Sequence, residues 1–198
     1  MSIYRRLIGA MFTLSLLWAG NAYGDSRYRW DFPVFSLSNG VITVRAGGTA
    51  SALAQDGSKI TVKGFGTFEV GDDATGGGSW TTFAADGVTV TGTGNFVVTG
   101  LIRFVLAPGR LPPTFHDTIG DVNKTHAGLA HLRVQYSDGS KGILIISCAA
   151  PGAPPSMFEG ITASKGFVDY WNRLAPDESS IFGSPNFTLF HLLSEEED

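Results

Sequence analysis

The stretch VTVTGTGNFVVTGLIRFVL, residues 88–106, decides the fold. Taken two at a time, Val88, Val90, Gly92, Gly94, Phe96, Val98, Gly100, Ile102, Phe104 and Leu106 fall on one side. Thr89, Thr91, Thr93, Asn95, Thr99 and Arg103 fall mostly on the other, interrupted by Val97, Leu101 and Val105. Period two with β-branched and aromatic residues is the pattern of a strand, because successive side chains leave opposite faces of a pleat. At about 3.3 Å per residue a straight strand of this length reaches about 60 Å, too long for one domain of this size. The stretch therefore bends, or it turns back within Thr91-Gly92-Thr93-Gly94-Asn95. Glycines on its apolar side suit the sharp bends that close a sheet on itself.

The same pattern extends outward in both directions. Lys59 to Val70 alternates, with Ile60, Val62, Gly64, Gly66, Phe68 and Val70 on one face. His126 to Tyr136 and Lys141 to Cys148 read as paired strands, and Val41 to Ala46 as a short one. Asp56-Gly57, Asp86-Gly87 and Asp138-Gly139 are hairpin-turn signals. The glycine-rich segment Gly71 to Ser79 reads as a loop, and Trp80 to Ala85 as a strand. Asp25 to Asn39, rich in aromatics, reads as an edge strand or an arm over an open end. Ile161 to Trp171 reads as a strand or hairpin broken at Ser164-Lys165-Gly166, Asn172 to Pro185 as loop, and Asn186 to Leu193 as the last strand. Many short strands with no helix predict an all-β fold: one antiparallel β-barrel, with a two-sheet β-sandwich as the alternative.

A chain of 198 residues suits one domain with a real core. Residues 1–24 have the form of an export signal: Arg5 and Arg6, then an apolar run, then small residues before a cut near Gly24. The domain is expected at 25–193, with an acidic tail at 194–198 and a secreted or periplasmic location. Without Arg5 and Arg6 the chain carries 12 basic against 18 acidic residues, a net charge of −6. No Lys/Arg cluster is present, so nucleic acid and anionic membrane are poor partners. No later apolar run is long enough to insert into a bilayer. Cys148 is the sole cysteine, which excludes an intramolecular disulfide; its apolar surroundings predict a buried thiol.

Chemistry is sparse. The G-x-S-x-G, S-x-x-K and H-E-x-x-H patterns are missing, and His126, His131, His191 and Glu159 match no metal-site spacing. No metal and no cofactor is expected. Two proline loops, 107–115 and 150–158, echo each other as Ala-Pro-Gly, Pro-Pro, hydroxyl residue, Phe, then a titratable residue. If consecutive strands form a meander, both loops emerge at one end, separated by one strand down and one up. That end gathers His116, Asp117 and Glu159, framed by Phe115 and Phe158. If residues 88–106 form a single bent strand, Trp80 and the loop before it are expected there too.

The leading expectation is a non-enzymatic binding protein taking an apolar or carbohydrate ligand at one barrel end, with Trp80, Phe115, Phe158, Tyr170 and Trp171 lining it. The second is a small isomerase, cyclase or hydrolase using His116, Asp117 and Glu159 for acid–base work. The third is a surface-interaction protein with an exposed apolar patch.

Overall fold

The computed structural model describes residues 26–177 and 179–194. The expected export signal and the acidic residues 195–198 lie outside the described residues. In chain order the strands are β1 (Arg27–Asp31), β2 (Pro33–Ser38), β3 (Val41–Ala46), β4 (Ala50–Leu53), β5 (Lys59–Glu69), β6 (Ala74–Phe83) and β7 (Val90–Ala107). They continue as β8 (His116–Asp117), β9 (Thr125–Tyr136), β10 (Lys141–Cys148), β11 (Gly160–Lys165), β12 (Val168–Tyr170), β13 (Asn172–Arg173) and β14 (Leu189–Ser194). Among the described residues the only helical piece is a 3-10 turn, Val122–Lys124, capped by the Asp121 carboxylate on the Asn123 N–H. The fold is all-β.

Eleven strands share one antiparallel sheet. Its pairings run in a circuit: β9 pairs β14, β14 pairs β1, β1 pairs β5, β5 pairs β6, β6 pairs β7, and β7 returns to β9. From β9 the sheet also extends through β10, β11 and β12, and from β5 through β4 and β13. A second sheet holds β2, β3 and β8, with β8 parallel to β3.

The stretch that decides the fold is a single strand, β7, not a hairpin. Its first part pairs with β6 and its later part with β9. Register shifts at Val98/Gly100 and at Leu101/Arg103 mark two bulges. Each inserts one unpaired residue, bends the strand and turns the side-chain phase over. The face that begins as Phe96 and Val98 therefore continues as Leu101 and Phe104, leaving Ile102 exposed.

Two expectations are corrected. The segment read as a loop at residues 71–79 is strand from Ala74 onward. Its glycines are there because β5 and β6 approach closely: a Cβ at Gly76 would stand 2.4 Å from the Cα of Gly66. And β1 is not an edge; it lies between β14 and β5. Tyr28 and Trp30 alternate inward, so β1 contributes to the core along its length. Tyr28, Phe68, Phe104 and Phe190 pack there as a connected cluster, with Phe104 4.8 Å from both Tyr28 and Phe68 and 5.3 Å from Phe190. Tilted and edge-to-face pairs of this kind add about 0.5–1.5 kcal/mol each beyond their buried area.

Candidate functional site

Where β7 and β10 end, the two proline loops meet. The Arg110 N–H donates to Pro151 O at 3.1 Å, and Gly109 O accepts from Ala127 N at 2.9 Å. Gly109 has φ +123°, and a Cβ there would stand 2.8 Å from Ala150 O. Only glycine lets the loops cross this closely. The expectation that both loops emerge at one end of the fold holds.

Beneath the crossing lies a cavity of about 300 Å³. Its walls include Phe35 from β2, Leu111 from the first loop, Met157 and Phe158 from the second, and Ile181 and Phe187 from the segment before β14. Arg173 and Ala175 lie at its margin, and both are exposed. Phe115 stands behind this wall, its ring 6.3 Å from that of Phe35 in an edge-on contact.

Glu159 is the acid of the cavity. Its Oε2 accepts from Ala149 N at 2.5 Å, and its Oε1 from Thr188 N at 2.6 Å. Thr188 Oγ1 lies 3.0 Å from Oε1 and 2.8 Å from Ser147 O. A hydroxyl has one proton to give. With Glu159 protonated on Oε1, the acid donates to Thr188 Oγ1 and Thr188 donates to Ser147 O, so both contacts are satisfied. Burial pushes the Glu159 carboxyl up to about 7, against the pull of the Ala149 and Thr188 donors and the Arg173 charge. Cys148 is buried at the same wall, and burial together with the nearby Glu159 carboxylate pushes its thiol up. That is the reverse of what a nucleophilic thiol needs.

Asp117 has a different fate. It lies in β8, where adjacent side chains point to opposite faces. His116 is accordingly exposed while the Asp117 side chain is 1% exposed. Asp117 Oδ2 stands 2.7 Å from His191 Nε2, and Oδ1 accepts from Ile119 N at 2.8 Å. Asp117 as a carboxylate can only accept, so Nε2–H of His191 is the donor, while His191 Nδ1 is buried without a partner among the described residues. Burial pushes the Asp117 carboxyl up, but the His191 and backbone hydrogen bonds outweigh it, and the carboxyl lies below its ordinary value. Beside this pair Arg29 grips Asp31 with two bonds, of 2.6 and 3.0 Å. Asp31 is so deeply set that burial outweighs even this pairing and holds its carboxyl above the ordinary value.

His116, Asp117 and Glu159 thus occupy three environments: solvent, a closed hydrogen-bonded patch, and a cavity wall. No hydrogen bond or ion pair among the described residues joins any two of them. The aromatic set also divides. Phe158 lines the cavity and Phe115 backs it. Trp80 does not reach this end: it pairs with Gly94 near the start of β7, donates to Asn95 O at 3.1 Å and packs edge-on against Tyr136, with the Lys165 ammonium 4.1 Å above its ring. Tyr170 is buried and Trp171 is exposed along a separate outer groove with Ile102 and His131. Sequence reading missed Leu111, Arg173, Ile181 and Phe187 as cavity residues. For Arg173 and Ile181 the signal available was length: the sequence offers a long connection at 172–185, and such loops are often functional.

Compared with protein-family models, with curated proteins and with solved structures, the chain matches none.

Proposed function

We propose that this protein is a secreted or periplasmic single-domain β-barrel that binds one small, mainly apolar ligand under its two proline loops, without catalysing a reaction on it. The observation that carries the reading is the 300 Å³ cavity, walled by Phe35, Leu111, Met157, Phe158, Ile181 and Phe187. Small-ligand sites are concave, mostly apolar and provided with a few placed polar groups. The circuit of pairings through β9, β14, β1, β5, β6 and β7 supports the barrel, and the cavity lies beside it, under the loops. Few convergent polar groups favour an apolar ligand over a sugar. The enzyme reading lacks a cluster: only Glu159 lies at the cavity, Asp117 is committed to His191, and His116 is exposed away from both.

The test uses the neutral fluorophore N-phenyl-1-naphthylamine with the processed protein. Saturable fluorescence enhancement is expected, with a melting temperature that rises by several degrees near 100 Kd, where binding contributes about 2.7 kcal/mol. Ala175→Trp, a change at an exposed margin residue, is expected to weaken the probe at least tenfold with little change in stability. Absence of saturable binding, or full binding by Ala175→Trp, would overturn the proposal.

A further inference from the structure

Resting on that binding reading, the geometry points to an organic amine as the occupant of the cavity, its apolar body among Phe35, Phe158 and Phe187 and its ammonium on Glu159 Oε2. Three features lead there.

First, a carboxylate offers about four acceptor positions. Ala149 N takes one on Oε2 and Thr188 N one on Oε1, and when the acid is ionised the single Thr188 hydroxyl proton serves either Oε1 or Ser147 O. One position on Oε2 stays open. Second, among the described residues no cation pairs with this carboxyl, whereas Asp31, Asp117 and Asp138 each have a basic partner. Arg173, whose charge acts on this carboxyl, donates to the Glu159 backbone O at 3.3 Å and not to the carboxylate, so a ligand cation in the cavity would supply the direct partner that a withdrawn ionised acid lacks. Third, the neighbouring wall already accommodates a cation: the Arg173 guanidinium lies 5.4 Å over the Phe158 ring at the margin of the cavity. Aromatic faces attract cations, most strongly where water is excluded. An acid ligand meets the opposite situation, since its carboxylate would face Glu159 in an apolar enclosure.

The charged and titratable groups facing Glu159 are Arg173 from β13 and Cys148 from β10. Burial holds the Cys148 thiol up, so Glu159 is the group placed to change charge on loading. With its carboxyl raised to about 7, Glu159 is mostly protonated at pH 5.5 and still largely so at pH 6.5. Binding an ammonium releases that proton to solvent and leaves a carboxylate–ammonium pair.

The experiment compares three isosteric probes by calorimetry: 1-naphthylmethylamine, 1-naphthalenemethanol and 1-naphthoate. At pH 8 the amine is expected to bind at least tenfold more tightly than the alcohol, with the naphthoate weakest. At pH 5.5 the amine is expected to lose about tenfold, while the alcohol changes little. Glu159→Gln should bring amine and alcohol within about twofold, with alcohol affinity retained. Titrating the amine at pH 6.5 in two buffers of different ionisation enthalpy should show net proton release. That readout uses the wild-type protein and decides the matter even if Glu159→Gln fails to fold. Equal amine and alcohol affinities at pH 8, no proton release, or an amine preference that persists in Glu159→Gln would overturn the inference. Binding of the alcohol without amine preference ends the amine assignment and leaves the binding reading intact; no binding by any probe ends both.

Discussion

Asp117 and Glu159 are both carboxylates withdrawn from bulk water, and the fold treats them in opposite ways. Asp117 is closed in with His191 at 2.7 Å, and its carboxyl lies below the ordinary value. Glu159 faces a cavity with backbone and hydroxyl donors but, among the described residues, no ion pair on its carboxylate; burial outweighs the Arg173 charge, and its carboxyl lies above. A buried acid held by a donor inside the protein ties elements together, here β8 to β14. One whose charge is unmatched beside a cavity has room for a ligand to match it.

The largest expected effect tests the closed patch. Asp117→Ala removes the one hydrogen-bond partner, among the described residues, of the almost wholly buried His191 ring. Leaving a buried polar group unsatisfied, together with the lost packing, costs about 3 kcal/mol. Urea unfolding should register that loss, with hydrogen exchange fastest in β3 and β8. Glu159→Gln keeps an acceptor for Thr188 or Ala149 and should cost about 1 kcal/mol. Equal losses from the two substitutions would erase the contrast.

The next effect sharpens the contrast through pH. Glu159 has its folded value raised from 4.5 to about 7, so the folded state holds the proton more tightly than the unfolded chain. Its contribution to stability is full below pH 4.5 and is lost as pH rises toward 7. Linkage sets the loss at about 2 kcal/mol, allowing for partial access to solvent. Asp117, with its folded value lowered from 3.8, contributes above that pH and loses its contribution as pH falls below it. Denaturant midpoints of wild type and Glu159→Gln between pH 4.5 and 7.5 should therefore converge as pH rises. Parallel curves would show that Glu159 titrates at its ordinary value.

A smaller effect, about 1–2 kcal/mol, is expected for Gly109→Ala. The substitution places a Cβ at φ +123° and 2.8 Å from Ala150 O, which strains the residue and pushes the proline loops apart. The loss should appear in thermal melts together with weaker N-phenyl-1-naphthylamine binding. The Asp117–His191 patch should keep its slow exchange.

The strands of this fold were legible where alternation was uninterrupted. Lys141 to Cys148 was read with the boundaries that β10 has, and Lys59 to Val70 to within a residue of β5. Alternation alone did not distinguish a single β7 from a hairpin, because both keep the same side chains on the same face. The bulges left a trace in the adjacent apolar residues Val97-Val98 and Leu101-Ile102, where period two fails. Gly76, Gly77 and Gly78 looked like a loop because composition reports flexibility, whereas here glycine answers to strands in close approach. The meeting of the two proline loops was legible from topology. The cavity was not, since Phe35, Leu111, Ile181 and Phe187 come together only through long-range pairing of separate elements. The Asp117–His191 pair was hidden for the same reason, with the partners 74 residues apart.

The smallest effect bears on His116, the neighbour of Asp117 in β8. A strand sends consecutive side chains to opposite faces, so Asp117 turning inward to His191 obliges His116 to turn outward. His116 is exposed, and its backbone pairs with Thr43. His116→Ala should change stability by less than about 0.5 kcal/mol, as for other surface positions. It should leave N-phenyl-1-naphthylamine affinity and the amine preference unchanged. If it instead abolished binding, the imidazole would have to reach the cavity, and the outward turn of β8 that separates the closed patch from the open one would be wrong. An unchanged Kd, set beside the large loss from Asp117→Ala one residue away, would show that the contrast runs through a single two-residue strand.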